Sequence, residues 1–318
     1  MTQPAIRVEP TVHEGVALVE TLRGPEADPA ASPGLLVEVP HGADERAHYD
    51  ALRSRLVGDL PEDLHAFFHV NTDIGAWQYG RRVAERLIAE RPSLCALVVR
   101  SLIPRTFIDC NRLEDTQEAL GVGGLTAGIP SYVEHPDDRA LLVGLHRRYV
   151  QIIEDAYAEV CDAGGFALTP HTYGPYELPI ARVDRDIVKA LRECHRPEVI
   201  STLRVRPEVD LLTRGKDGIR YAPEGMVDDL VAGFRDVGLS ATEGAAYTLQ
   251  PGSQTWRFVT RYPEQFLCLE IRRDLLVKEY RGLEAMTVDE AAIERVAAPL
   301  VGAIGRWMDC RRAEGAGW

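Results

Sequence analysis

The sequence predicts an α/β protein, a three-layer α/β/α sandwich around a mixed, mainly parallel central sheet. Three observations predict it. Short runs rich in β-branched residues alternate along the chain with longer segments of helical period. The runs are apolar throughout rather than at every second position, as expected of strands buried on both faces beneath helices. The polar side chains with chemical potential collect at or just past the ends of those runs, where open α/β sheets gather their function.

Taken in order, residues 1–33 are rich in Pro, Ala and Glu and predict a peripheral arm with little core, leaving 34–318 as a single α/β domain. Leu35–Val39 is the first strong strand, ended by Pro40, and a helix follows over 46–57. Ile74, Trp77, Val83 and Leu87 carry the apolar spacing of a helix over 74–90, and Leu94–Arg100 reads as a buried strand. Residues 113–137 are glycine-rich and aperiodic, which suits a lid or binding loop. A helix over 138–162 places Leu141, Leu145, Tyr149, Ile152, Ile153 and Tyr157 on one side, and Gly164-Gly165 ends it. The strand Phe166–Leu168 runs into Pro170-His171. Val199–Leu203 reads as a strand, Gly225–Val237 as a helix, Phe266–Ile271 as a strand and Val288–Trp307 as a closing helix.

Composition narrows the function. A chain of 318 residues, 45% hydrophobic and 27% charged, is long enough for one large core and ordinary for a globular protein. Its formal charge of -13, with no Lys- or Arg-rich run, argues against nucleic acid as a partner. The start lacks a basic segment followed by an apolar one, and no stretch of about 18 apolar residues occurs, so neither a secretory signal nor a membrane span is expected. The cysteines at 95, 110, 161, 194, 268 and 310 form no close pairs and read as reduced thiols of a cytoplasmic protein.

Four polar clusters stand at strand ends: His41/Asp44, Asp109/Asn111/Arg112, His171 and Glu270. His41 and Asp44 lie three residues apart on a turn that Gly42 can tighten, and imidazole and carboxylate are both good zinc ligands. His171 is a candidate third ligand, which leaves a coordination position open for water. A loop histidine hydrogen-bonded to an acidic neighbour is the plainer alternative. Glu270, inside an apolar strand, is either a general base for hydrolysis or the partner of Arg272, Arg273 or another arginine. Arg100, Arg105 and Arg112 fall close together in an acidic protein. The Arg112 guanidinium suits a substrate carboxylate, whereas Arg100 reads as balancing nearby acids. Cys110 with His171 as base is a weaker nucleophile candidate, because only the arginines could lower its pKa. The glycines at 121, 123 and 124 lack a following Lys-Ser or Lys-Thr and fail as a phosphate loop.

At these residues the chain resembles the N-formylglutamate amidohydrolase family and, more distantly, the zinc carboxypeptidase, aspartoacylase and succinylglutamate desuccinylase group. The resemblance is carried by Val39-Pro40-His41-Gly42, Asn71-Thr72-Asp73-Ile74-Gly75, Arg105 to Arg112, Pro170-His171 and Leu269-Glu270-Ile271-Arg272, in that order across most of the chain. It implies a phosphorylase/hydrolase-like fold and one divalent metal, zinc, held by His41, His171 and a third ligand. It also implies that Arg112 with Asn111 holds the substrate carboxylate and that Glu270 activates water. The zinc carboxypeptidase-like group has glutamate three residues after its first histidine, where this chain has Asp44, so Asp44 is the expected third ligand, with Glu45 and Asp73 as alternatives. The expected activity is cleavage of the amide of a small anionic N-acyl amino acid, with Arg105 beside the developing oxyanion. A metallocarboxypeptidase or peptide deacylase shares this machinery. A non-catalytic binding protein on the same fold is the alternative of another class.

Overall fold

The computed structural model describes residues 6–113, 127–180, 182–313 and 315. Its eight strands form one sheet: β1 (Arg7–His13), β2 (Ala17–Arg23), β3 (Leu35–Val39), β4 (Cys95–Ser101), β5 (Phe166–Tyr173), β6 (Val209–Leu211), β7 (Ala241–Glu243) and β8 (Phe266–Arg272). The order across the sheet is β1-β2-β4-β3-β5-β8-β6-β7. The four strands β4, β3, β5 and β8 run parallel at the centre. The antiparallel pairings lie outside them, β1 with β2, β2 with β4 and β6 with β8. Every residue of β3, β4 and β5 is buried, which explains why these runs show no alternation in the sequence.

Alternate residues of the central strands feed two cores. Leu35, Val37 and Val39 of β3 join Phe166, Leu168, Leu267, Leu269 and Ile271 in one cluster. It is covered by α3 (Ala76–Glu90) and two later helices, Met226–Asp236 and Glu290–Ala313. On the other face Leu36, Leu97, Ala167 and Cys268 meet α1 (Arg46–Arg53), α2 (Leu64–Asn71), α4 (Pro136–Cys161), α5 (Ile187–Cys194) and the helix Gln254–Arg261. In chain order α6 is the single turn Pro197–Ile200, α7 Met226–Asp236, α8 Gln254–Arg261 and α9 Glu290–Ala313. Helices on both faces of a mixed sheet make the three-layer sandwich that the sequence predicts. Tyr157 of α4 stacks on Phe258 of α8 at 3.8 Å between ring centroids, which ties the helices of the second face together.

Two expectations change. Residues 7–23, expected as part of a peripheral arm, form a hairpin that extends the sheet, with β2 paired to β4 over seven residues. The arm reading arose because β1 is exposed along nearly its whole length and carries Pro10, which an edge strand tolerates. Val199–Leu203, expected as a strand, begins inside α6: Pro197 sits in the first helical turn, and the chain turns there instead of extending. Residues 114–126, most of the expected lid and all of the glycines at 121, 123 and 124, lie outside the described residues. Among the described residues no helix is long and apolar enough to cross a membrane.

Candidate functional site

The carboxyl ends of β3, β5 and β8 deliver the first parts of the site. His41 stands two residues past β3, and His171 and Glu270 are partners in the β5–β8 register, so their side chains leave the same face of the sheet side by side. The His41 and His171 rings lie 5.1 Å apart, centroid to centroid. Each turns Nδ1 toward one oxygen of Asp73, at 3.1 Å from His41 and 2.8 Å from His171. Asp73 reaches that point from the turn before α3, where Gly75 has φ +90° and stands where a Cβ would come within 2.9 Å of Leu276. The end of β5 is pinned from behind by Tyr79, whose hydroxyl donates to the His171 carbonyl at 3.0 Å, and by Thr172, which donates to the Ile74 carbonyl.

His41 Nε2 meets Asp109 Oδ1 at 2.8 Å. Asp109 is itself fixed by the Asn111 backbone N–H at 2.9 Å, by Arg105 Nε at 3.0 Å and by Arg112 at 3.6 Å. A proton on Nε2 shared with Asp109 leaves Nδ1 as the lone-pair nitrogen, the arrangement in which a carboxylate orients a ligand histidine. Burial and Arg105 disfavour protonation of His41, but Asp109 and Asp73 outweigh them and its pKa lies above the ordinary 6.5. Burial alone would raise the Asp109 carboxyl, but Arg105, Arg112 and His41 hold it well below the usual carboxylate range. Asp73 is likewise lowered, because the two imidazoles outweigh its burial.

Two nitrogens and one carboxylate oxygen, buried and within 4.8 Å of one another, are a donor set of the kind zinc takes. The second Asp73 oxygen is buried without a hydrogen bond among the described residues. An unshared, charged oxygen at such depth is costly unless something cationic meets it, and Arg105 and Arg273 come only to 4.0 and 3.8 Å. The residues therefore fit a divalent metal, with His41, Asp73 and His171 as the side chains that would hold it.

Asp44 does not join them. Its carboxylate is held 2.6 Å from Arg100, which also donates to the Gly42 carbonyl at 2.8 Å and lies over the Trp77 ring. Gly42 leaves room for that arginine, since a Cβ there would fall 2.6 Å from Arg100 Cγ. Asp44 thus stands in an ion pair apart from the His41, Asp73 and His171 group; Glu45 shares the same guanidinium at 2.9 Å, and the two acids lie with His48 in a separate cluster.

Glu270 has no ion pair among the described residues: Arg272 engages Asp274, and Arg273 donates to backbone carbonyls and Thr172. One Glu270 oxygen is buried without a hydrogen-bond partner. Burial and the nearby Asp73 push its pKa up to about 7, against the pull of His171, Arg105 and Arg206. Cys110 is fully buried in the core and contacts Ser101, and burial drives its thiol far above the ordinary value. It is no nucleophile.

His41, His171 and Glu270 line a cavity of about 550 Å³. Its wall includes His41, His171, Glu270, Arg105, Asn111 and Arg112, so every predicted site residue except Asp44 faces it. Asn111 Oδ1 is fixed by the Thr255 N–H and hydroxyl, both at 2.9 Å. The lining also includes apolar side chains, Phe67 and Val70 of α2, Ile187 and Leu191 of α5, and Leu178 and Ile180 between β5 and α5. The sequence reading missed Arg206, Tyr247 and Arg273 as cavity residues. Arg206 and Tyr247 lie on loops with no motif around them. Arg273 follows Glu270 closely enough that its position could have suggested the site.

No family model and no curated protein matches the chain. Among solved structures it is similar to an N-formylglutamate amidohydrolase from Ralstonia eutropha, at 16% identity over 94% of this chain and 99% of that one, with a TM-score of 0.49. It is also similar to a gene product of Agrobacterium tumefaciens, at 20% identity over 89% and 93% of the two chains, TM-score 0.48. The succinylglutamate desuccinylase of Vibrio parahaemolyticus is matched at 10% identity over 95% and 68%, TM-score 0.41. The chemistry rests on the site itself.

Proposed function

We propose that the chain is a metal-dependent hydrolase that cleaves the amide bond of a small N-acyl amino acid of N-formylglutamate type. One observation carries the reading: two histidine Nδ1 atoms converge on a single carboxylate oxygen, and both histidines line a cavity together with a glutamate that has an unpartnered oxygen. A divalent metal bound by His41, Asp73 and His171 supplies a Lewis acid that polarises a carbonyl and brings the pKa of water toward neutrality.

The chain's own groups do the rest. Glu270, with a pKa near 7, takes the proton of the attacking water and returns it to the leaving amine nitrogen, an exchange that needs an acid and base matched to working pH. Arg105 lines the same cavity and shares Asp109 with Arg112, so its charge is only partly offset and serves the developing oxyanion. Arg112 and Asn111 hold the carboxylate of the amino-acid half, in a wall set by Asp109 and Thr255.

The test is twofold. Protein purified without chelator is assayed for bound metal and for release of formate from N-formylglutamate, before and after dialysis against a chelator. Near one equivalent of metal, with activity that is lost on chelation and restored by zinc, is the expected result. Metal-free protein that neither binds zinc nor cleaves any N-acyl amino acid would leave the binding-protein alternative standing.

A further inference from the structure

Among the described residues four arginines line the cavity, and three have a carboxylate beside them. Arg105 and Arg112 share Asp109, and Arg273 lies 3.8 Å from Asp73. Arg206 differs. Among the described residues no carboxylate oxygen comes within salt-bridge distance of it, and its Nε is buried without a hydrogen-bond partner. One terminal nitrogen donates to the Gly174 carbonyl at 3.3 Å. The rest of the guanidinium is placed by aromatic rings, 5.3 Å from the Tyr173 centroid and 5.5 Å from that of Tyr247.

The surroundings hold this cation in place. The Arg206 N–H donates to the Pro175 carbonyl at 2.8 Å, and its own carbonyl accepts from Arg272 at 3.2 Å. Tyr173 is fixed by its hydroxyl, which donates to the Pro207 carbonyl at 2.7 Å. The loop that brings Tyr247 is gathered by Asp210, a fully buried carboxylate that accepts the N–H groups of Ala245, Ala246 and Tyr247 at 2.9, 2.8 and 3.2 Å. Asp210 is the register partner of Glu270 on the neighbouring strand β6, so the strand beside the one that carries the base positions the arginine's aromatic wall. A half-buried guanidinium with an unpartnered Nε, whose contacts are rings and a backbone carbonyl and which meets Glu270 only through space, lines the cavity ready to take an anion from a ligand.

We infer that Arg206 is the residue that binds a second carboxylate of the substrate, distinct from the one at Arg112, and so selects dianionic N-acyl amino acids over monoanionic ones. The inference rests on the hydrolase reading for the identity of the substrate. The second carboxylate has two chemical sources, an acidic amino-acid side chain or a dicarboxylic acyl group.

The experiment compares kcat/KM for two matched pairs on the wild-type holoenzyme, R206M and R206K. N-formylglutamate against N-formylglutamine tests the side-chain source, and N-succinylglycine against its terminal amide tests the acyl source. In one pair the wild type prefers the charged member, and R206M lowers that preference about ten- to a hundredfold, mainly through KM. R206K, which keeps the charge but loses the planar fork, falls between them. A merely structural arginine would lower both members of each pair together, and an unchanged preference in both pairs overturns the inference. Calorimetric binding of glutarate against its monoamide gives an answer without turnover. Wild-type protein that binds glutarate through Arg206 but cleaves none of the four amides would reject the hydrolase reading and leave the anion subsite intact.

Discussion

His171 and Glu270 are register partners on adjacent parallel strands, and one turns Nδ1 to Asp73 while the other keeps an oxygen unpartnered beside it. Ligand and base are thus spaced by the sheet itself, on elements that cannot shift independently. Replacing Glu270 by Gln keeps the volume and removes the base. E270Q is expected to bind metal as the wild type does and to lose about 10²–10⁴-fold in kcat. Full turnover in that variant would remove Glu270 from the chemistry.

Asp73 and Asp44 compete for the third ligand position, and the geometry separates them. D73N, which replaces the oxygen facing both imidazoles by an amide, is expected to lose metal under dialysis conditions where the wild type retains it. D44N is expected to keep its metal and lose some stability, because Arg100 keeps only the exposed Glu45 of its two carboxylates; the loss should stay below the about 3–5 kcal/mol of a buried charge left wholly unpaired. Metal analysis beside a thermal melt reads both. Metal loss in D44N with retention in D73N would reverse the assignment.

Asp109 acts one step further out. D109N leaves His41 in place but removes the carboxylate from its Nε2, so the imidazole is no longer held in one tautomer. Metal affinity is expected to fall about 10–100-fold, measured by competition with a chromophoric chelator. Unchanged affinity would show that Asp109 serves the arginines alone.

The legible part of the molecule was the part with two-sided burial. β3, β4, β5 and β8 announce themselves because helices cover both faces, and a continuous apolar run needs no partner to be recognised. β6 and β7 are three residues each, and β7 is only half-buried, too little pattern to mark a strand. His41, His171, Glu270, Arg105, Asn111 and Arg112 could be picked out because they end strands or follow them closely. Asp44 reads as a partner of His41 from nearness along the chain, whereas Asp73 arrives beside both imidazoles by the turn that starts α3. The competing partner, Arg100, lies on β4 and approaches Asp44 only through the parallel pairing of β3 with β4. Arg206 was invisible for the same reason: its meaning comes from rings on two other segments.

Gly75 links the backbone to the metal site. At φ +90°, a side chain is strained by about 1–3 kcal/mol, and a Cβ would press on Leu276 as well. G75A is expected to lower the melting temperature and, because the turn carries Asp73, to weaken metal binding with it. Loss of stability with unaltered metal affinity would mean that Asp73 is held independently of the turn.

Glu38 gives the fold a pH dependence separate from catalysis. It is buried in β3, with no cation in an ion pair with its carboxylate among the described residues, and it receives hydroxyl hydrogen bonds from Tyr149 at 2.7 Å and Tyr157 at 3.3 Å. Burial raises its pKa above the ordinary 4.5, against the pull of Tyr149, His171, Tyr157 and His41. The folded state therefore holds this proton more tightly than the unfolded chain does. The resulting stabilisation is fully present below the unfolded pKa and is lost as pH rises through the folded one. Glutamine imitates the protonated acid and cannot ionise. The stability of E38Q relative to wild type should thus be constant below about pH 4 and move steadily in the variant's favour as pH rises above the unfolded value, other groups cancelling in the difference. Urea midpoints of the two proteins across that range measure it. A difference that does not change with pH, or one that moves toward the wild type, would mean that the two tyrosines and the neighbouring imidazoles keep Glu38 ionised despite its burial.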